Sequence, residues 1–498
     1  MPSVSLETPN SDLDTTPGFP VSSVQKTEVI ATPSPSRSIR TSTPISPTPE
    51  ENSYTGYDLE VNLDYAEHLL SVKEIIIFTN STQTTFPSIP LIIEPNRFPN
   101  TFQLDSMSML DGLRVTNYQL KDRRLTINLS NPLDPGEKLG LVISYRLRLP
   151  NTSKLVNIRP YPFGYTYLQV NLGDWYPFIP PYLSGKGWII HEPALYGEHL
   201  VYEIAHFNVN IRITGKITDL VIAASAPAEV SGEWRHYFHP AARTFAWSVS
   251  PHYQVVTQTV ELPGSPSITV LSYHFPFYQE AGARVADTLS KAVSLYPDLF
   301  GVGYTHSYLS AVQADFLDGM EYDSLFFLSK DFYNWYNGTD QGFLVALTAH
   351  ETAHQWFYGL VGNDQALKPW LDEALCTYSE RLFYEHFYPE ALDWWWTYRI
   401  NYYNPSGWID MTIYDAPQTP GQYRSYRDAV YLNGALFLEE LRNVVGDQTF
   451  FGALRAYLAQ HIYQLGDSES FFLIFNQHTG KDLDALICKY FLHLIPCP

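Results

Sequence analysis

The pattern of apolar and polar residues divides the chain into a strand-rich part and a helix-rich part. From about residue 53 to residue 258, short segments alternate between apolar and polar positions and are separated by Asn, Asp, Gly and Pro. They include YDLEVNLDY, SVKEIIIFTN, KLGLVISYRLRL and FNVNIRIT. Alternation with a period of two between turn residues is typical of antiparallel strands. We therefore predict an all-β domain over residues 53–258.

Beyond this part the spacing of apolar residues becomes helical. A strand-like segment, SITVLSYHF, precedes EAGARVADTLSKAVSLYPDLFG, in which Val285, Leu289 and Val293 recur at helical intervals up to Pro297. A second strand-like segment, YLSAVQADF, is followed by helical patterns over most of the remaining chain. Such a mixture predicts an α+β domain over residues 259–498.

The first 52 residues have a different composition. They are rich in Pro, Ser and Thr, and Phe19 is the only aromatic residue among the first 50. So little apolar surface does not offset the entropy lost on ordering, and we predict a disordered spacer over residues 1–52. The N-terminal residues MPSVSLETPN show no basic segment followed by an apolar one, so no signal peptide is visible. The spacer nevertheless favours an extracellular or cell-envelope location over a cytoplasmic one.

Charge and cysteine content exclude several kinds of protein. The chain has 52 Asp and Glu against 31 Lys and Arg, a formal net charge of −21, which argues against nucleic-acid binding. No run of about 18 or more apolar residues occurs, so no transmembrane helix is expected. Cys376, Cys488 and Cys497 are too few for a disulfide framework and too scattered for a cysteine zinc site. We interpret them as free thiols, with a Cys488–Cys497 bridge as the alternative.

One helical segment carries a metal-binding pattern. In QGFLVALTAHETAHQWFYG, His350 and His354 are separated by one helical turn, and Gly359 is expected to end the helix. This spacing stacks the two imidazoles on one face, close enough to share a zinc ion, with Glu351 beside them. An amphipathic helix with surface histidines is the alternative interpretation.

A catalytic zinc ion normally has a third protein ligand. Glu373 is the candidate, in the segment KPWLDEALCTYSERLF, where Pro369 can begin a second helix with Asp372 and Glu373 in its first turn. Two antiparallel helices joined by the loop 360–368 would bring this carboxylate to the histidine face. Alone, Glu373 is more typical of a solvated helix carboxylate; at this distance from the motif it completes a predicted zinc site.

Four segments together resemble the gluzincin metallopeptidases of the aminopeptidase N and leukotriene hydrolase family. HETAH, followed after eighteen residues by the glutamate of WLDEAL, is similar to the family's zinc motif. GMEY at residues 319–322 resembles its G-x-M-E-N exopeptidase motif, and YLNGA at residues 431–435 resembles its Y-x-K-G-A segment. NLGDWYPFIPPY and GEHLVYEIAHFNVNI resemble its saddle-shaped N-terminal domain.

The sequence departs from the family pattern at several positions. Tyr322 replaces an asparagine, Asp318 stands where glycine is usual, Asp372 replaces the asparagine before the ligand glutamate, and Asn433 replaces a lysine. The chain also ends shortly after the last matching segment. It leaves no room for the long helical C-terminal domain that narrows the active-site entrance in many relatives, so a wider cleft is expected.

The resemblance implies a multidomain fold, with an antiparallel β-saddle domain followed by a thermolysin-like, mainly helical catalytic domain. It also implies one zinc ion per chain, bound by His350, His354 and Glu373, with one position left for a water molecule whose pKa the metal lowers. Glu351 would act as general base and then general acid. Tyr431 would stabilise the oxyanion that forms at the attacked carbonyl.

The exopeptidase motif implies how a substrate binds. Gly319, Met320 and Glu321 follow a strand-like segment, so they suit the pairing of an extended peptide along a sheet edge while the Glu321 carboxylate meets a free ammonium. A structural ion-pair role for Glu321 is the alternative.

We therefore predict a zinc-dependent aminopeptidase that hydrolyses N-terminal residues from peptides with a free N-terminus. An endopeptidase or an epoxide hydrolase on the same zinc site is the nearest alternative. A catalytically silent peptide-binding protein is a further one, disfavoured because the ligands, the base and the tyrosine are all retained.

Other histidine groups do not match a zinc helix. His191 and His199 have the wrong spacing, and His236 and His239 lie three positions apart in the β-rich part. We interpret both groups as surface or packing residues. The tryptophan run at 394–396 is interpreted as helix packing near the zinc helices, with a cleft-lining role as the alternative.

Overall fold

The computed structural model describes residues 44–45, 54–154, 162–215, 219–262, 266–419 and 421–497. The predicted spacer, residues 1–52, thus lies outside the described residues except for Pro44 and Ile45. Ile45 forms a parallel β-bridge with Val302, and its backbone N–H donates to the Gly301 carbonyl at 2.8 Å.

The N-terminal domain consists of strands with one buried side. In the first strand, Leu59 and Val61 are buried and Asp58 and Glu60 face solvent, as the alternating pattern requires. The strands are β1 (Thr55–Asp64), β2 (Leu69–Thr79), β3 (Phe86–Ile92), β4 (Phe102–Met109), β5 (Tyr118–Lys121), β6 (Arg124–Leu133), β7 (Lys138–Arg148), β8 (Phe163–Tyr165), β9 (Val170–Leu172), β10 (Tyr182–Leu183), β11 (Gly187–Trp188), β12 (Ala205–Thr214), β13 (Val221–Ala224), β14 (Ala228–Ser231), β15 (Trp234–Ala242) and β16 (Trp247–Ser250).

Within the described residues, a seven-stranded sheet in the order β14-β15-β12-β1-β2-β7-β4 is the largest layer of this domain. Its neighbours pair antiparallel except β1 and β12, which run parallel in register from Thr55 opposite Ala205 to Asp64 opposite Thr214. The prediction of antiparallel strands therefore fails for this one pair. A parallel pair needs a long crossover connection, which the intervening strands supply and which local alternation does not reveal.

A second sheet belongs to the helical part of the chain. Its strands, in the order β17-β18-β19-β21-β20, are β17 (Gln254–Val260), β18 (Ile268–His274), β19 (Tyr308–Ala314), β20 (Gly319–Tyr322) and β21 (Leu325–Ser329). β17 crosses the expected domain boundary at residue 258 and pairs with β18. Alternation identifies a strand but not the sheet that it joins.

The helices follow this sheet. They are α1 (Gln279–Phe300), α2 (Lys330–Trp335), α3 (Phe343–Ala353), α4 (Trp370–Phe387), α5 (Leu392–Trp394), α6 (Tyr423–Arg427), α7 (Asn433–Val445), α8 (Asp447–Gln460), α9 (Ser468–Thr479) and α10 (Asp484–Tyr490), with π-helical segments at Trp395–Ile400 and Asp428–Leu432. α1 continues through Pro297 and ends at Gly301, which has a left-handed backbone (φ 73°). α3 ends before Gly359, because beyond His354 the backbone changes to wider turns, with Gly359 N–H donating to the His354 carbonyl.

Arg243, between β15 and β16, connects the two domains. Its guanidinium is buried and donates to the carbonyls of Tyr202 (2.8 Å), Tyr358 (2.6 Å) and Gln464 (2.8 Å). Tyr202 lies in the N-terminal domain, whereas Tyr358 and Gln464 belong to the catalytic domain. One buried cation thus serves backbone acceptors on both sides of the junction.

The three cysteines fall into two groups. A disulfide joins Cys488 to Cys497, and Cys376 is buried and free. The interpretation of all three cysteines as free thiols is therefore corrected for the C-terminal pair.

In the part of the chain that the structure describes, no helix has both the length and the apolar character needed to cross a bilayer.

Candidate active site

The helices α3 and α4 bring the three predicted metal ligands together. His350 Nε2 and His354 Nε2 are 3.2 Å apart, one helical turn from each other on the same face. Glu373, in the first turn of α4, directs its Oε2 to 3.2 Å from His350 Nε2 and 3.7 Å from His354 Nε2. All three side chains are buried. The loop between the helices thus places Glu373 beside the two histidines, as the spacing of HETAH and WLDEAL predicts.

Hydrogen bonds at the other ring nitrogens orient the imidazoles. His350 Nδ1 lies 3.0 Å from Glu380 Oε1, and His354 Nδ1 lies 3.1 Å from the carbonyl oxygen of Phe357. Both partners are acceptors, so each imidazole donates its Nδ1 proton there, and the two Nε2 atoms are the ones that face Glu373. Two imidazole nitrogens and one carboxylate oxygen that converge in this way fit a zinc ion.

Sequence reasoning missed the residues that fix His350. Glu380 is fully buried and receives the Arg399 guanidinium in two hydrogen bonds, Nη2 to Oε1 at 2.7 Å and Nε to Oε2 at 2.9 Å. Trp395 Nε1 donates to the same carboxylate at 2.9 Å. Burial alone would raise the pKa of Glu380, but Arg399 and His350 lower it, so the group stays ionised. The sequence does contain a pattern that could have identified Glu380, because it follows Glu373 by two helical turns and so lies on the same face of α4.

Glu351 lies beside the three ligands without belonging to them. It is buried, and its Oε2 has no hydrogen-bond partner among the described residues. Burial raises the pKa of its carboxyl group. A buried polar atom without a partner is costly unless a ligand or water satisfies it. The free oxygen is therefore available to a molecule in the cleft.

Tyr431 reaches the ligand set from the π-helical segment before α7. Its hydroxyl donates to Glu373 Oε1 at 2.6 Å, and its ring is stacked on that of His350, with centroids 6.2 Å apart. Burial first, and then the charge of Glu373, raises the pKa of Tyr431 well above its usual value. The phenol is therefore a neutral hydrogen-bond donor at neutral pH.

The exopeptidase-like segment forms β20, which ends the five-stranded sheet. The Glu321 carboxylate is buried, accepts a hydrogen bond from Gln365 Nε2 at 2.9 Å, and forms a cluster with Glu351 and His354 whose acid and imidazole atoms lie within 4.8 Å of one another. Burial raises the pKa of Glu321. Gln365 was not identified from the sequence, because a lone amide in a loop carries no pattern.

Tyr322, the residue that replaces asparagine, points away from this cluster. Its hydroxyl donates to Asp174 Oδ2 at 3.0 Å, and a β-carbon on Gly173 would lie 2.1 Å from that hydroxyl oxygen. Tyr202 donates to the other oxygen of Asp174 at 2.7 Å. The tyrosine at position 322 thus links the end of β20 to the N-terminal domain by a hydrogen bond.

A cavity adjoins β20 at the domain junction. Met320, Tyr322 and Gln365 line it from the catalytic domain. Three carboxylates line it from the N-terminal domain: Glu94, Asp174 and Glu198. Arg97 and His199 line the cavity from the same domain, so this side carries both acidic and basic groups.

The other histidines occupy separate places. His199 Nε2 is 3.2 Å from Glu94 Oε2, and His191 Nε2 is 2.8 Å from Asp364 Oδ1. His236 is exposed on β15, as expected of a surface residue, whereas His239 on the same strand is buried. The structure does not group any of these four with His350 and His354.

Comparison with known proteins agrees with this geometry. Residues 285–490 match the peptidase family M1 domain. The match covers 206 of the 498 residues and includes both HETAH and WLDEAL. The predicted resemblance to the gluzincin metallopeptidases of the aminopeptidase N family is therefore confirmed.

Curated M1 relatives match only in part. Aminopeptidase M1-D of Oryza sativa subsp. japonica is 25% identical over 224 residues, which cover 42% of this chain and 25% of that protein. Probable aminopeptidase 2 of Sulfurisphaera tokodaii is 24% identical over 217 residues, which cover 41% of this chain and 28% of that protein. The matched region thus spans about a quarter of the length of these M1 relatives.

Solved M1 structures match over most of the chain. An M1 zinc metallopeptidase variant from Deinococcus radiodurans, bound to a Tyr-Ser-Ala substrate, has a TM-score of 0.60 and 18% identity, covering 89% of this chain and 96% of that one. A two-domain M1 zinc metallopeptidase variant bound to L-arginine has a TM-score of 0.62 and 18% identity, with the same coverage. The predicted order of a β-rich domain and then a mainly helical domain is confirmed as the two-domain M1 fold.

Proposed function

We propose that this protein is a zinc-dependent aminopeptidase that removes residues from the free N-termini of peptides. The observation that carries the proposal is the buried cluster of Glu321, Glu351 and His354. It puts a carboxylate able to bind an ammonium group within a few ångströms of the residues able to hydrolyse a peptide bond. A substrate held by its terminal ammonium would present its first peptide bond to that centre.

His350, His354 and Glu373 would hold one zinc ion at this site in each chain. The ion would supply Lewis-acid activation of a water molecule and of the substrate carbonyl. The bonds from Glu380 and the Phe357 carbonyl to the two Nδ1 atoms hold the imidazoles in the orientation that ligation requires.

Glu351 would move the proton. Its Oε2 has no partner among the described residues, and its burial raises the pKa of the carboxyl group, which suits a group that alternately accepts and donates a proton. In the first half of the reaction it takes the proton of the attacking water. In the second half it delivers that proton to the amine that leaves.

Tyr431 would stabilise negative charge on the carbonyl oxygen. Its hydroxyl donates to Glu373 Oε1 at 2.6 Å, so it lies beside the proposed zinc ligands, where the substrate carbonyl would bind. A donor aimed at the developing charge lowers the energy of the transition state more than that of the bound substrate.

The substrate would lie along β20. This strand pairs with β21 and is an edge strand of the sheet within the described residues. An extended peptide can therefore pair with its free edge. Met320 and Gln365 line the cavity beside β20, which would receive the first side chain of the substrate. The Pro/Ser/Thr-rich segment supports an extracellular or cell-envelope location for this activity.

The deciding experiment compares a free peptide with its N-acetylated form and identifies the products by mass. Charge-assisted contacts contribute roughly 1.5–3 kcal/mol, about ten- to a hundredfold in kcat/KM. We expect acetylation and Glu321→Ala each to cause a loss of this order, and we expect the two losses not to add when combined. Glu390→Ala, at an exposed position outside the cleft, is the matched control.

Two outcomes would favour the alternatives. If acetylated peptides are cut internally as fast as free peptides are trimmed, the protein is an endopeptidase on the same site. If neither peptide is cut but an epoxide is opened, the site serves a hydrolase of another class.

A further inference from the structure

Three metal-ligating side chains meet at the domain junction, apart from the catalytic residues. His239 lies on β15 of the N-terminal domain, and His306 lies in the loop between α1 and β19. Asp323 directly follows β20 in the turn to β21. The three residues are distant in sequence, so only the folded chain brings them together.

Their ligand atoms converge. Asp323 Oδ1 lies 3.1 Å from His306 Nε2 and 3.8 Å from His239 Nε2, and the three atoms all lie within 4.8 Å of one another. The other oxygen, Asp323 Oδ2, accepts the backbone N–H of Arg243 at 2.8 Å. That bond leaves Oδ1 as the oxygen that faces the two imidazoles.

Hydrogen bonding does not account for the arrangement. His306 Nε2 lies within hydrogen-bond distance of Asp323 Oδ1, at 3.1 Å, so this pair alone would be satisfied. His239 Nε2 is a buried atom without a hydrogen-bond partner among the described residues, because 3.8 Å to Asp323 Oδ1 is too long for a hydrogen bond. A buried polar atom without a partner is costly, and a ligand held between the three side chains would satisfy it.

The charges also suit a cation. Burial first, and then the neighbouring His306, lowers the pKa of His239 to about 3, so the ring is neutral and keeps a lone pair. Burial would raise the pKa of Asp323, but the two imidazoles and the Arg243 N–H outweigh it and lower it. Two imidazoles and one carboxylate form the donor set that zinc and similar divalent ions prefer.

We propose that His239, His306 and Asp323 bind a second divalent transition-metal ion of the zinc class, separate from the ion of the catalytic site. The proposal does not depend on the peptidase activity. The ion would cross-link β15 to the turn that follows β20, and so fix the end of the strand that carries Glu321.

The experiment counts metal ions in a background without the catalytic site. His350→Ala is purified, loaded with Zn²⁺, desalted and analysed for zinc by mass spectrometry. We expect one tightly bound zinc per chain in His350→Ala and close to none in His350→Ala/His239→Ala. Replacing Zn²⁺ with Co²⁺ should give visible absorption bands of a low-symmetry site in the first protein, and their loss in the second.

A matched control and a second variant make the test decisive. His236→Ala removes the exposed imidazole on the same strand and should leave the zinc content unchanged. If circular dichroism shows that His239→Ala is unfolded, His306→Gln is used in its place, because His306 is the less buried ligand. Its zinc content is measured in the same way. Retention of zinc in the folded ligand variant, or absence of tight zinc in His350→Ala, would overturn the proposal.

Discussion

Gly319 faces Glu351 so closely that a β-carbon on residue 319 would lie 1.9 Å from Glu351 Oε1. No real side chain tolerates such a contact, so the carboxylate would have to move. The conformation of Glu351, the proposed general base, therefore depends on the absence of a side chain at position 319 of β20.

We expect Gly319→Ala to reduce kcat by about a hundredfold, because a displacement of about 1 Å at a reacting group costs this much. Zinc content should stay at the wild-type value, since Gly319 does not contact the ligands. Steady-state kinetics and metal analysis check both statements. Gly342→Ala is the control, since a β-carbon there has nothing within 4 Å. Equal activity of the two variants would mean that Glu351 relocates without consequence.

Glu351→Gln separates the base from the ligands. The amide cannot accept the proton of water, so kcat should fall by several orders of magnitude while the zinc content stays that of the wild type. His350→Ala and Glu373→Ala should instead lose the catalytic zinc ion. Dialysis against a chelator should abolish the wild-type activity, and added Zn²⁺ should restore it. A loss of metal from Glu351→Gln equal to that from His350→Ala would assign Glu351 to the ligands.

Tyr431→Phe removes one hydroxyl next to Glu373. If this hydroxyl acts on the oxyanion, kcat should fall by roughly 10²–10³ with little change in KM or in thermal stability. Tyr426→Phe is the matched control, because Tyr426 is buried 6.0 Å from Tyr431 between ring centroids and its hydroxyl has no partner among the described residues. A collapse of activity in Tyr426→Phe alone would mean that the catalytic tyrosine is misassigned.

Glu74 gives the N-terminal domain a pH-dependent stability. It is fully buried on β2, opposite Leu59 and Ile143, and burial raises its pKa well above the usual value. The folded state therefore keeps a proton that the unfolded state has lost. As pH rises from the unfolded pKa toward the folded pKa, the free energy of unfolding should fall by about 1.4 kcal/mol per pH unit.

Glu74→Gln should remove this loss, because the amide does not titrate. Urea unfolding at several pH values, from weakly acidic to neutral, checks the difference between variant and wild type. Glu60→Gln, exposed on the neighbouring strand, should follow the wild type. If the free energy of unfolding depends on pH in the same way for Glu74→Gln and for the wild type, Glu74 is ionised in the folded protein.

The sequence predicts that the three candidate ligands lie together, because their geometry is local. His350 and His354 share a helix, and a short loop brings Glu373 back to them, so spacing alone determines their approach. The partners of Glu380 and Tyr322 depend instead on contacts between distant segments, which periodicity does not encode. For the same reason, alternation identifies β17 as a strand but does not show that it pairs with β18.

The carbonyl contacts of Arg243 have a consequence for motion. Separating the domains would take from this buried guanidinium the acceptors of the catalytic domain, which include Tyr358 and Gln464, and this carries a large desolvation cost. Hinge opening of the whole molecule is therefore an expensive route for substrate exchange. We expect peptides to enter and leave through local rearrangement of side chains and loops at the cleft, so turnover should be insensitive to a crosslink that locks the two domains together.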